Sequence, residues 1–176
     1  MMDGHLLDTN IISVLANPKN VRRADYVQKV SVLEHIWLPV IAIAEIEFGM
    51  AKVEVPDQGQ KEQIRQFLHG FPQPLGIGIN TIEPYAKLRA QLWKAYATPK
   101  KNKRGHIEKL PEELFDKITG DSLGIDERDL LIASIAAENG LILVTNDSNP
   151  GMKRIEKAAQ DLQTAGESVN LKISYW

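Results

Sequence analysis

Leu141–Thr145 reads Leu-Ile-Leu-Val-Thr, an apolar run with no alternation of polar residues. A strand of that kind needs both of its faces covered, which is the condition inside a parallel sheet. The segment before it, Glu127–Asn139, spells a helix that is also apolar on most sides: Leu130, Leu131, Ile132, Ala133, Ile135, Ala136 and Ala137. Asp126 suits its N-cap and Gly140 its C′ position. A buried helix feeding a buried strand is the repeating unit of an α/β fold.

The rest of the chain follows this alternation. His5–Asp8 reads as a short strand ending on a carboxylate, and Thr9–Ala16 as a helix stopped by Asn17-Pro18. A helix is expected over Arg22–His35 and a strand over Ile36–Leu38. Ile41–Lys52 is a helix that is apolar almost all round, and so is expected to be buried. Gln60–Phe71 is amphipathic, with Ile64, Phe67 and Leu68 on one face. Leu75–Ile79 reads as a short strand, and Thr81 as the N-cap of a helix reaching Ala97. Lys153–Thr164 reads as a helix and Val169–Trp176 as a last strand. The expected class is α/β, three-layer α/β/α with a central parallel sheet flanked by helices. Length fits one domain over residues 1–176. Residues 98–123 are too polar for a core of their own and read as an insertion, with a short helix at Pro111–Ile118.

Composition removes several classes of function. Lys plus Arg number 21 and Asp plus Glu 23, a net charge of −2, so the chain is not a globally basic nucleic-acid binder. The absence of cysteine excludes disulfides, thiolate metal sites and cysteine nucleophiles. No run approaches the roughly 20 apolar residues of a membrane span. The first residues lack the pattern of a signal peptide, so a cytoplasmic protein is expected. There is no G-x-S-x-G or P-loop, and His5, His35, His69 and His106 have no ligand-like spacing.

What remains is a set of acids at informative places. In open α/β sheets ligands bind beyond the carboxyl ends of strands. Asp8 ends the first strand and Asp147 follows Leu143–Asn146. Asp126 and Asp129 open the buried helix three residues apart, on one face. Glu45 and Glu47 lie in the most apolar helix, where periodicity does not say which faces inward. Each acid also has a plain structural reading. Asp8 is a good N-cap, Asp126 is better explained as a cap than as a ligand, and Asp147 sits in a turn-forming stretch. Carboxylates gathered in one place repel and resist desolvation. A hard divalent cation relieves both costs, and can activate water against a phosphodiester.

Four segments carry a resemblance. LLDTNIIS (Leu6–Ser13), AEIEFG (Ala44–Gly49), ERDLLIAS (Glu127–Ser134) and LILVTND (Leu141–Asp147) resemble, in order, the acidic motifs of PIN-domain proteins. Within that family they look most like VapC-type toxins of bacterial toxin–antitoxin pairs. The closing Ile173–Trp176 is similar to that subfamily's last strand. The resemblance implies a PIN-like fold and a Mg²⁺- or Mn²⁺-dependent ribonuclease. It implies Asp8, Glu45, Asp129 and Asp147 as catalytic, metal-binding acids, choosing Glu45 because it stands four residues before Gly49. Asn10, Thr145 and Asp126 would support them. A homodimer and a small antitoxin partner, its tail in the groove, are implied as well. The 98–123 stretch and the helix within Ser148–Asn170 are longer than in compact members, and the aromatic often found after the fourth acid is absent.

RNA approaching an acidic groove needs positive charge nearby. Lys100, Lys101, Lys103 and Arg104 are the first candidates, Lys19, Arg22 and Arg23 the second; a solvated charged loop is the competing reading. Two other functions fit parts of the pattern. A haloacid-dehalogenase-like phosphatase would use the Asp after the first strand as nucleophile, but Asn10 stands where its second acid belongs, and only about 30 residues follow Asn146. A PIN-like module used only for binding or dimerisation is the other.

Overall fold

The computed structural model describes residues 4–55, 57–99, 110–116 and 118–176. In chain order they form β1 (His5–Leu7), α1 (Thr9–Ala16), α2 (Arg23–Val30), β2 (Ile36–Trp37), α3 (Val40–Ala51), α4 (Gln58–His69), α5 (Ile82–Tyr96), β3 (Ala97–Pro99), β4 (Leu114–Asp116), α6 (Glu127–Asn139), β5 (Ile142–Thr145), α7 (Pro150–Thr164) and β6 (Lys172–Tyr175). They make two compact units. One comprises Met1–Gly76, Leu141–Asn146 and Ile173–Trp176; the other comprises Ile77–Gly140 and Asp147–Lys172.

The first unit holds the four-stranded sheet, ordered β2-β1-β5-β6. β1 is parallel to both neighbours, with Leu6 opposite Trp37 and Leu143, and Leu7 opposite Val144. The apolar runs of β1 and β5 lack alternation because both faces are covered: Leu6, Leu7, Leu143 and Val144 are all fully buried. α1 begins where β1 stops because Asp8 takes an extended backbone and its side chain accepts from the Thr9 N–H. Ile11, Ile12 and Leu15 of α1 pack with Leu7, Leu38 and Val144. Each such side chain contributes roughly 1.5–3 kcal/mol by leaving water. α4 starts at its own acid cap, Asp57, which accepts from Gln60 N at 3.0 Å, and buries Ile64 and Leu68.

In the second unit α5 packs against α6 and α7. α6 runs between the expected signals, Asp126 as N-cap and Gly140 at φ 70°, and buries Leu130, Ile132, Ala133, Ile135 and Ala136. The start of α7 approaches residue 124 so closely that a Cβ on Gly151 would lie 1.9 Å from the Gly124 carbonyl oxygen. Arg154 of α7 donates to the Leu123 carbonyl and stands 3.7 Å from Asp116.

The parallel α/β expectation holds, and four local expectations do not. α3 buries only Ala42 and Met50, while Val40 and Phe48 are exposed; a helix apolar all round has no inward face that composition can reveal. Leu75–Ile79 contributes one bridge, Leu75 to Pro39, in place of a strand. Pro111–Glu113 is a single 3-10 turn leading into β4, which pairs antiparallel with β3. The Thr81 hydroxyl accepts from Gly78 N at 2.9 Å and donates to Glu138, so it ties the entry of α5 to α6.

Candidate functional site

In the first unit, the end of β1 presents Asp8 with only 1% of its surface exposed. Burying a carboxylate is costly unless its oxygens receive hydrogen bonds. Both do. Oδ1 accepts from Thr9 N at 2.7 Å, and Oδ2 accepts from the hydroxyl of buried Thr145, at the end of β5, at 2.8 Å. Asp8 is thus the cap of α1 and an acid oriented from two sides. Its neighbour extends the arrangement: the Thr9 hydroxyl donates to Glu45 Oε2 at 2.5 Å. One threonine therefore touches the first two acids, through its amide and its hydroxyl.

The contrast between Glu45 and Glu47 is geometric. Glu45 turns to Thr9. Glu47 makes a bidentate pair with Arg65 of α4, at 2.9 and 2.8 Å, and that hydrogen-bonded guanidinium holds its carboxyl below the usual range. Beside Thr9 and Glu45 lies a groove of about 430 Å³, with Ile46, Met50 and Ile64 among its walls. Asn10 is exposed on the first turn of α1. Thr9 was not a sequence candidate; its signal was its place directly after a strand-end acid.

In the second unit, Asp126 caps α6, accepting from Arg128 N at 2.8 Å and from Arg128 Nε at 2.8 Å. The Arg128 side chain lowers its pKa from the ordinary value. Asp129 is half-buried in the same first turn. Asp147, also half-buried, accepts from Asn149 N at 2.8 Å, an Asx-type turn ahead of α7. At the opening of α6, Tyr85 donates to Glu127 and Arg89 donates to the Tyr85 oxygen. Burial pushes the Tyr85 phenol up to about 12, and the bond to Glu127 adds to the shift.

Among the described residues, no three or more histidine, aspartate or glutamate side chains form a group that could hold a metal ion. The structure brings Asp8 and Glu45 together through Thr9. The chemistry of that pair fits a hard cation: carboxylate oxygens, with hydroxyl and amide donors behind them fixing their direction. Lys100, Lys101, Lys103 and Arg104 lie outside the described residues. The second set of cations is engaged locally: Lys19 pairs with Asp57 at 3.0 Å, Arg22 lies over Tyr26, and Arg23 Nε donates to the Leu15 carbonyl at 2.8 Å.

The model of the PIN domain family matches residues 5–158. The chain belongs to the PIN domain family. Its PIN fold has solved counterparts in bacterial complexes. VapBC2 from Rickettsia felis, bound to a DNA fragment from their promoter, matches with a TM-score of 0.59 and 20% identity, over 99% of this chain and 99% of that one. FitAcB from Neisseria gonorrhoeae matches at 0.58 and 22%, over 86% and 93%. VapBC-1 from nontypeable Haemophilus influenzae matches at 0.58 and 19%, over 99% and 98%. At these identities the likeness is one of PIN fold alone. No curated protein sequence matches this PIN chain. Among the described residues no helix is long and apolar enough to cross a membrane.

Proposed function

We propose that this single PIN domain is a nuclease that hydrolyses RNA phosphodiester bonds with a divalent cation, Mg²⁺ or Mn²⁺, and serves as the toxin of a toxin–antitoxin pair. The observation that carries the reading is the Asp8–Thr9–Glu45 unit. Two acids at the end of a strand and on a neighbouring helix are oriented by one residue, within a family match covering most of the chain. Asp8, Glu45, Asp129 and Asp147 are the proposed ligands, with Thr145, Asn10 and Asp126 in support. When bound, the ion would supply Lewis-acid stabilisation of the charge that develops on the phosphate and lower the pKa of water.

The chain's own residues do the positioning. Thr145 and Thr9 fix the two Asp8 oxygens, so that little reorientation is needed when a ligand arrives. The Thr9 hydroxyl holds Glu45 through Oε2. Lys100, Lys101, Lys103 and Arg104 are the proposed RNA-binding cations. The groove beside Glu45 has apolar walls suited to side chains of a small antitoxin; one matched structure, VapBC-5 from Mycobacterium tuberculosis, is named as a member of the VapBC family of toxin–antitoxin systems. A homodimer and a cytoplasmic location complete the proposal.

The test is RNA cleavage by the purified protein with Mg²⁺ or Mn²⁺, alongside Asp8→Asn and Asp129→Asn. Both variants are expected to fold and to lose cleavage. Full activity in either, with the metal present, discards the assignment. Mn²⁺ calorimetry separates the enzyme from a binding-only PIN module, which would show no acid-dependent site. Trapping of an aspartyl-phosphate would instead favour a phosphatase.

A further inference from the structure

The first turn of α6 is held from outside by more than a helix start requires. Asp126 already supplies its cap. Glu127, the first helical residue, is engaged three further times. Tyr85 donates to its Oε1, and Arg89 Nη1 stands 3.4 Å from the same oxygen while donating to Tyr85. Tyr85 and Arg89 are four residues apart and share one face of α5. The Arg89 guanidinium lies 5.6 Å from the Tyr85 ring centre. From the other direction, Glu112 of the 3-10 turn Pro111–Glu113 accepts the Glu127 backbone N–H at 2.7 Å, satisfying one of the amides that a helix start leaves orphaned.

Glu127 Oε2 is buried, and among the described residues it has no hydrogen-bond partner. A buried carboxylate oxygen without a donor is an expensive thing to keep, and the adjacent guanidinium is what makes it tolerable. The arrangement therefore fixes where Glu127 sits, and the residue two positions later is Asp129. A metal ligand must be held within about 0.5 Å of its working place.

We propose that Tyr85, Arg89, Glu112 and Glu127 are positioning residues that lock the first turn of α6 and thereby aim the Asp129 carboxylate. The inference rests on the reading of Asp129 as a metal-binding acid, and it gives the polar region around residue 112 a task. These residues act on Asp129 through the helix backbone and touch neither substrate nor ion.

The experiment is calorimetric Mn²⁺ titration of the folded full chain, with circular dichroism and thermal unfolding of the same samples. The variants are Arg89→Ala, Arg89→Lys, Tyr85→Phe, Glu112→Ala and Asp129→Asn. Arg89→Ala and Tyr85→Phe are expected to weaken Mn²⁺ binding about tenfold, the low end for residues that orient a ligand. Arg89→Lys is expected to recover part of that loss, because it restores the charge beside Glu127. Should Arg89→Ala not fold, Glu112→Ala removes one hydrogen bond from an exposed residue and is expected to cost about threefold. A brace that served stability alone would lower the unfolding temperature and leave Mn²⁺ affinity unchanged in Arg89→Ala, Tyr85→Phe and Glu112→Ala. That pattern overturns the positioning role while the metal reading stands. Absence of Mn²⁺ binding in the native chain, or native affinity in Asp129→Asn, overturns the metal reading and the positioning role with it.

Discussion

Asp8 and Asp129 both stand beside the start of a helix, yet their surroundings are built differently. Asp8 is buried at the carboxyl end of a parallel strand and is steadied by neutral donors, the Thr9 amide and the Thr145 hydroxyl. The turn carrying Asp129 is steadied by charged and polar side chains: Arg128 on Asp126, Tyr85 and Arg89 on Glu127, and Glu112 on its amide. The sheet supplies order to the first acid, since paired strands fix where it must lie. α6 has no strand pairing at its start, so side chains from α5 and the polar region do that work. An acid on a sheet needs few helpers, and an acid on a helix start needs several.

The contrast can be broken at several points. The largest effect is expected within α3. Glu45→Gln should reduce metal-dependent cleavage by about a thousandfold, or about 4 kcal/mol of transition-state stabilisation. Glu47→Gln should leave cleavage unchanged and cost at most about 1 kcal/mol, the worth of an exposed ion pair. A cleavage assay and a urea melt of the two variants decide it; equal losses would mean that Thr9 does not mark the working acid.

Next is Gly151→Ala. The new Cβ would meet the Gly124 carbonyl oxygen at 1.9 Å, and relieving that contact should destabilise the second unit by about 3 kcal/mol. Hydrogen exchange should show the loss in α7 and leave β1 and β5 protected. Thr145→Val follows, at about 2 kcal/mol, because it removes a hydrogen bond to a buried carboxylate. Here the exchange pattern should reverse, with β1 affected and α7 spared.

The smallest effect concerns pH. The Arg128 side chain lowers the Asp126 pKa in the folded chain. A depressed carboxyl contributes stability above its unfolded value of about 3.9, and that contribution is lost as pH falls through the folded value. Asp126→Asn should therefore flatten the acid side of the stability curve below about pH 4. An unchanged slope in thermal melts across that range would show that Arg128 does not stabilise the ionised form.

The same comparison explains what could be read in advance. β1, α1, β5 and α6 carry coincident local signals: an apolar run, an acid cap, and Asn17-Pro18 or Gly140 to close the helix. Local propensity and tertiary burial agree there, and the elements appear at nearly the expected residues. Asp8 and Asp126 could be placed as helix caps because strand ends and helix starts are visible in sequence. The bond from Thr9 to Glu45 could not, since sequence position alone does not announce a partner 36 residues away. The Tyr85–Arg89–Glu127 contacts were hidden for the same reason: i, i+4 spacing places Tyr85 and Arg89 together, but not opposite Glu127. α3 misled by being uniformly apolar, and Pro111–Asp116 by being polar enough to suit either a turn or a helix.

The bond from Thr145 to Asp8 spans 137 residues, and β5 lies beside β1 in the sheet. During synthesis Asp8 and its amide donor Thr9 are made together, and the hydroxyl donor Thr145 follows only after β5 has been made. Contacts so distant along the chain are slow to form. A truncated translation product ending before residue 141 would leave Asp8 at the margin of an unfinished sheet, without the hydroxyl that orients it. Whatever chemistry this carboxylate performs is thereby deferred until β5 has paired with β1.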